Sequence, residues 1–307
     1  MSKNNISKFS AWVSAARLRT LPLSISGIFI GSFASYSTFD FKLLIFILAL
    51  ATTVSYQILS NFANDYGDGV KGTDENRIGP ERALQSGIIS VQEMKKGIII
   101  TSLICLLLTT LLVYLSFSDD FFSFVMFIGL GVLAIIAAIK YTVGKNAYGY
   151  SGYGDLFVFV FFGLVSVLGS NFLFTSSLNF SLIYPACTIG LLGSGVLNLN
   201  NMRDLENDKL MGKKTLAVYL GAHFSKLYHY LLISVSMILM IVFLFKLNFS
   251  FSLLTVLFTS IILWLIVHLF QVSKITNSKK FDEFLRPLVF ATVFYSMVLS
   301  LHYLEII

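Results

Sequence analysis

Long apolar runs separated by polar stretches dominate the chain. Nine of them approach the ~20 residues needed to cross a bilayer as a helix. They are 21–38, 43–61, 97–117, 121–141, 154–175, 181–201, 227–246, 250–270 and 287–304. The runs lack the strict apolar–polar alternation of strands that face lipid on one side and a lumen on the other, which argues against a barrel. In hydrocarbon a helix satisfies its own backbone amides, so each run is expected to be helical. The pattern predicts an all-α, polytopic membrane protein with a single integral-membrane domain over residues 1–307.

Composition agrees and charge adds direction. Hydrophobic residues make up 56% of the 307 and charged residues only 12%, which excludes a soluble domain built on one core. An odd number of spans puts the termini on opposite sides. With the N-terminus in the cytoplasm, segments 1–20, 62–96, 140–153, 202–226 and 271–286 are cytoplasmic. All of the 22 Lys and Arg residues except Lys42 and Lys246 then fall in them. Such a bias is the positive-inside signature. The net charge of +6 suits anionic lipid or an anionic substrate rather than nucleic acid. Residues 1–20, with Trp12 and basic side chains, are mildly amphipathic and are expected along the interface. A leader cleaved near Ala34-Ser35 would break the charge arrangement. Cys105 and Cys187 fall inside spans and the His residues are scattered singly, so neither zinc spacing nor a disulfide framework is present.

Two acidic clusters stand where the hydrophobic runs end. The first is Asn61-Phe-Ala-Asn64-Asp65-Tyr-Gly-Asp68, and the second is Asn200-Asn201-Met-Arg203-Asp204-Leu-Glu-Asn-Asp208. Carboxylates beside hydrocarbon are costly and ask for a function. Residues four apart on a helix share a face, which groups Asn61 with Asp65 and Asn200 with Asp204 and Asp208. Carboxylate and amide oxygens are hard ligands suited to Mg²⁺, with water and phosphate oxygens completing its shell. Either cluster alone reads equally well as a solvated acidic loop that helps cap a helix. The two share the Asn-x-x-x-Asp spacing, follow the second and sixth spans, and lie on one membrane side. This suggests two four-helix repeats plus one helix around a central cavity, with the clusters facing each other. Cations surround them: Lys71, Arg77 and Arg82 after the first, Lys213 and Lys214 after the second, and Lys145 near Tyr141 at the end of the fourth span. Metal plus Lys and Arg is what a diphosphate needs, although the positive-inside bias alone already predicts cytoplasmic cations.

Several stretches carry a family resemblance that covers nearly the whole chain. They are Ala16-Arg-Leu-Arg19-Thr20-Leu21-Pro22, Asn64-Asp65-Tyr66-Gly67-Asp68-Gly69-Val70-Lys71-Gly72-Thr73-Asp74, Arg77-Ile78-Gly79-Pro80 and Arg82-Ala83-Leu84-Gln85-Ser86-Gly87. Tyr148-Gly149-Tyr150, Gly154-Asp155, Phe161-Phe162-Gly163, Gly212-Lys213-Lys214-Thr215-Leu216-Ala217-Val218 and Leu220-Gly221 continue it. The chain resembles the UbiA-type intramembrane prenyltransferases, and most of all their 1,4-dihydroxy-2-naphthoate branch. It departs from the pattern at Leu18, where Pro is common, and at Lys145-Asn146, which replaces a frequent Gly-Pro turn.

The resemblance implies a bacterial inner-membrane enzyme of menaquinone biosynthesis. A polyprenyl diphosphate would give its chain to 1,4-dihydroxy-2-naphthoate, releasing pyrophosphate and CO₂ to yield demethylmenaquinone. Asn61, Asn64, Asp65 and Asp68 would form one Mg²⁺ cluster, and Asn200, Asp204 and Asp208 the other. Arg19, Lys71, Arg77, Arg82, Lys145 and Lys214 would contact the diphosphate or carboxylate, and Tyr141 would lie near the reacting carbon. Shielding from water would protect the allylic cation, and an aromatic face would stabilise it. Another aromatic acceptor, such as 4-hydroxybenzoate, is the main alternative. An ion or metabolite transporter also uses intramembrane acids, but those usually sit near mid-bilayer.

Overall fold

The structure is a computed structural model that describes residues 7–36, 41–73, 82–247 and 252–307, without the side chain of Arg19. It is all-helical, with no strand among the described residues. A short helix α1 (Lys8–Ala16) precedes α2 (Leu21–Phe33), α3 (Leu43–Val70), α4 (Val91–Ser116) and α5 (Phe121–Lys140). Then come α6 (Gly154–Thr175), α7 (Ile183–Leu210), α8 (Leu216–Lys246), α9 (Leu253–Ser273) and α10 (Asp282–Tyr303). Helices α3 to α10 are each long and apolar enough to cross a membrane, which makes this a multi-pass membrane protein.

Helix α2, the first of the nine expected spans, has only 13 residues. At 1.5 Å per residue it covers about 20 Å, less than a hydrocarbon core. Its neighbours explain how a short helix is tolerated. Gly27 and Gly31 lie so close to Ser166 and Ser170 of α6 that a Cβ at either would clash. On another face Ser296 Oγ of α10 donates to Ser26 O at 2.6 Å. Helix α2 is thus enclosed by protein, where its ends need not reach both interfaces. Facing it, α6 runs through a π-helical stretch, Phe159–Gly169. There Gly163 packs directly on the Ala186–Gly190 backbone of α7. Helix α7 is central, with Ile189, Leu192 and Leu199 fully buried. Peripheral α5 buries only Ser123 and Gly131 along its length.

Three helices extend further than their apolar runs. Helix α3 continues to Val70, α7 continues to Leu210, and α8 begins at Leu216. The acidic clusters are therefore final helical turns that project past the apolar zone. Both helices end in the same way. Lys71 N and Met211 N donate to Gly67 O and Asn207 O, Gly72 N and Gly212 N to Gly69 O and Lys209 O, and Thr73 N and Lys213 N to Asp68 O and Asp208 O. Gly72 and Gly212 adopt left-handed φ values of 74° and 69°, which glycine allows without a Cβ penalty.

This shared cap corrects the register of the repeat. It makes Asp68 equivalent to Asp208 and Asn64 to Asp204. The Asn-x-x-x-Asp spacing, which pairs Asn61 with Asn200 and Asp65 with Asp204, is one residue out of step. One residue is about 100° around a helix, so those pairs do not occupy matching faces.

Candidate active site

A carboxylate at a helix C-terminus opposes the helix dipole. Both acidic clusters sit at such ends, and Asp65, Asp68 and Asp204 are each paired with a cation. Asp65 and Asp68 are each 1% exposed. Asp65 pairs with Arg17 and lies 3.7 Å from Arg82 Nη1. Asp68 Oδ2 accepts from Arg82 Nη1 at 2.9 Å and from Lys213 Nζ at 3.3 Å. Its Oδ1 accepts from the Tyr150 hydroxyl at 2.8 Å. Asn64 Oδ1 accepts from Arg17 Nη2 at 3.1 Å. Asn61 is turned inward, donating to Ala16 O at 2.8 Å.

Lys213 joins the two clusters. Its backbone N–H caps Asp208 O of α7 at 2.8 Å while its ammonium reaches Asp68 of α3. Asn207 Nδ2, also on α7, donates to Thr73 O beyond the end of α3 at 2.9 Å. Tyr150 holds this junction together. Lys71 Nζ sits 3.7 Å and Lys213 Nζ 5.2 Å from the centre of its ring. Lys71 Nζ also donates to Thr142 O at 2.9 Å. In the second cluster Asp208 is buried, and Asp204 accepts both Nε and Nη2 of Arg203 at 2.8 and 2.7 Å. Among the described residues, Arg17, Arg82 and Lys213 are ion-paired to Asp65 and Asp68, and Lys71 stands beside them. The first cluster is net positive and suited to an anion.

A cavity opens below this charged end. Arg17, Asn61, Asn64, Asn200 and Tyr141 line its polar mouth, and Ile28, Ala49, Leu112, Val113 and Leu173 line its far apolar end. Ala49 and Asn64 are fifteen residues apart on α3, so the cavity runs on the order of 20 Å through the bundle. Tyr141 is held at the mouth by Gly149, whose N–H donates to Tyr141 O at 2.9 Å. The Tyr148 ring meets Tyr141 edge-on at 5.3 Å and stacks on Phe157 at 3.9 Å. A phenol is neutral near pH 7, so Tyr141 offers an uncharged, electron-rich face.

The expected site residues divide into three groups. Asn61, Asn64, Asp65, Asp68, Arg82, Tyr141, Asn200, Asp204, Asp208 and Lys71 gather at the cavity mouth or in the two helix ends beside it. Lys145 and Lys214 are exposed and stand outside the ion-pair network of the described residues. Lys213 turns inward in place of Lys214, because its backbone closes the α7 cap. Arg77 and the side chain of Arg19 lie outside what the structure describes. Arg17, Lys213 and Tyr150 are additions. Arg17 follows α1 in a left-handed turn (φ 50°) that aims it at Asp65, a geometry no spacing announces.

The donor set can be tested against Mg²⁺. Among the described residues no three Asp, Glu, His or Cys side chains are close enough to hold a metal by themselves. Mg²⁺ rarely needs such a cage and binds through one or two carboxylates, with substrate phosphates and water supplying the rest. Oxygen-only helix ends beside a cationic patch fit that mode.

The family model described as the UbiA prenyltransferase family matches residues 24–298. The chain is 48% identical over 234 residues to the 1,4-dihydroxy-2-naphthoate octaprenyltransferase of Haemophilus influenzae, covering 75% of each chain. It is 45% identical over 244 residues to the protein of the same name from Escherichia coli, covering 79% of each. A solved UbiA homolog from Archaeoglobus fulgidus bound to DMAPP and Mg²⁺ shares the fold, with a TM-score of 0.63 at 15% identity, over 95% of this chain and 99% of that one. The apo UbiA homolog from Aeropyrum pernix K1 does so with a TM-score of 0.65 at 16% identity, over 92% and 99%.

Proposed function

The chain belongs to the UbiA prenyltransferase family, and from that premise we propose that it transfers a polyprenyl chain from polyprenyl diphosphate to 1,4-dihydroxy-2-naphthoate. The observation that carries this reading is the Lys213 bridge. It joins the acidic ends of α3 and α7 into one site, whose net-positive α3 side stands at the mouth of a long apolar cavity. A diphosphate head and a prenyl tail need that combination in one place. The naphthoate acceptor rests on the two relatives that carry it in their names.

In the reaction the allylic C–O bond of the donor breaks, and its electron pair leaves with the diphosphate. The ring carbon that bears the carboxylate forms the new C–C bond. The ring carboxylate departs as CO₂, returning its electrons to the ring, and the product is demethylmenaquinone in its reduced form. Asn64, Asp68, Asp204 and Asp208 would hold Mg²⁺, with Asn61, Asp65 and Asn200 beside them. Bound there, the metal supplies Lewis-acid stabilisation of the leaving group. Arg17, Arg82 and Lys213 take up the remaining diphosphate charge as they exchange their present carboxylates for phosphate oxygens, with Lys71 beside them. Tyr141, kept neutral, turns its ring toward the developing allylic cation. The apolar walls exclude the water that would otherwise trap that cation as an alcohol. The basic end of the bundle faces the cytoplasm of a bacterial inner membrane, in keeping with the positive-inside bias.

The test is acceptor competition. Purified protein with Mg²⁺ and a long donor is expected to favour the naphthoate over 4-hydroxybenzoate by about 100-fold or more in kcat/KM, as expected of a site that pairs polar groups specific to one acceptor. Preference for the benzoate moves the chain to another branch, and no transfer to either acceptor rejects the reading.

The tail's path makes a second prediction. Gly169 lines the cavity, and a Cβ there would meet nothing closer than Val165 at 3.8 Å. Gly169→Phe is therefore expected to fill the deep cavity without a backbone clash. It should lower kcat/KM for a long polyprenyl donor by roughly 10-fold or more while sparing geranyl diphosphate, since steric rejection acts only on a tail that reaches it. Equal loss on both donors would show that the tail takes another route.

A further inference from the structure

The last turns of α7 bury a charge that the proposed reaction leaves unused. Arg203 is 1% exposed, and its guanidinium is divided between two carboxylates. Nε and Nη2 hold both oxygens of Asp204, and Nη1 pairs with Asp282. Asp282 opens α10, far away in sequence, and its side chain is 43% exposed at the rim of the bundle.

This arrangement sets a conflict for Asp204. A carboxylate clamped on both oxygens by a guanidinium has its charge neutralised and its best ligand directions occupied. To take a metal it must loosen from Arg203. Arginine cannot discharge itself by losing a proton. A guanidinium stripped of its partner in a buried site is strongly unfavourable. With Arg203 alone beside it, Asp204 would stay locked. Asp282 removes the conflict, because Arg203 keeps one carboxylate while Asp204 turns to the metal.

We propose that Asp282 is a positioning residue: it anchors Arg203 so that Asp204 can exchange its guanidinium for Mg²⁺, and it thereby sets the metal affinity of the α7 cluster. This rests on the reading of Asp204 as a metal ligand. Asp282 touches neither metal nor substrate and acts only through Arg203. It also lies in the first turn of α10, where a carboxylate complements the helix dipole. The test must therefore separate positioning from simple support of that helix.

The full-length protein is titrated calorimetrically with Mg²⁺ in the presence of inorganic pyrophosphate, so that binding is read without turnover. Asp282→Asn is expected to raise the Mg²⁺ midpoint by about 10-fold, the lower range for removing an outer-shell partner of a metal ligand. Asp282→Glu, which keeps the charge, restores it to near wild type. In an Arg203→Gln background no guanidinium needs an anchor, so adding Asp282→Asn there should leave the midpoint where Arg203→Gln alone puts it. That comparison keeps the proposal open to refutation even if Asp282→Asn by itself fails to fold. A helix-support role alone would lower thermal stability without moving the Mg²⁺ midpoint. An unmoved midpoint in Asp282→Asn, or a further shift in the Arg203→Gln background, overturns the proposal. If the wild type shows no Mg²⁺-dependent binding of pyrophosphate, the metal site itself is refuted and the proposal falls with it.

Discussion

Asp68→Asn is expected to lower prenyl transfer by roughly 10³-fold or more, the upper range for removing one preorganised electrostatic group. Asp68 is contacted by cations from both halves of the site. Arg82 follows α3 and Lys213 follows α7, and both end on its Oδ2. Tyr150, from the segment between α5 and α6, ends on its Oδ1. The amide keeps the shape of the side chain and one acceptor oxygen but loses the negative charge. Mg²⁺ then loses an anionic ligand, and the Lys213 link between the helix ends is weakened. The fold should survive, because Arg82 still has Asp65 at 3.7 Å and the α3 cap uses only the backbone of residue 68. Activity in excess Mg²⁺ measures the loss, and thermal unfolding with far-UV circular dichroism checks the fold. Near-normal turnover in a folded variant would remove Asp68 from the catalytic set.

The sequence shows the fold well and the site only in part, for physical reasons. Long apolar runs report spans because hydrocarbon selects for them directly. They say little about a helix outside hydrocarbon, which is why the expected spans stop at 61 and 201 while α3 and α7 run on to Val70 and Leu210. The true ends are marked by Gly72 and Gly212, each four residues after an aspartate, because a left-handed cap favours glycine. Aligning Asp68-x-x-x-Gly72 with Asp208-x-x-x-Gly212 sets the repeat register, but Asp65-x-x-x-Gly69 shows the same spacing, so the cap itself is needed to choose between them. The acids and Arg82 are legible because charge beside apolar runs is costly. The choice of Lys213 over Lys214 depends on which residue closes the cap. Arg17 depends on a single left-handed φ. The Arg203–Asp282 pair joins α7 to the start of α10, and only the packed bundle brings them together.

Chelation by EDTA is expected to abolish turnover, and added Mg²⁺ to restore it, because the leaving diphosphate depends on Lewis-acid stabilisation worth several kcal/mol. The geometry adds a sharper expectation. Asp65, Asp68 and Asp204 are each engaged by a cation, and no three acidic, His or Cys groups among the described residues form a cage. Mg²⁺ alone therefore has to compete with Arg17, Arg82, Lys213 and Arg203 for its ligands. A diphosphate changes that competition, since it offers the same cations new anionic partners and brings its own oxygens to the metal. Metal and diphosphate should thus bind cooperatively, each tightening the other by the same factor. Titrating Mg²⁺ with and without pyrophosphate should reveal a coupling of at least about 10-fold, within the ordinary range for linked sites. Turnover that resists EDTA would refute the metal's role. Mg²⁺ binding equally tight without pyrophosphate would instead mean that the acids leave their cations unaided, and the exchange of partners at Asp68 and Asp204 would no longer account for how the site is filled.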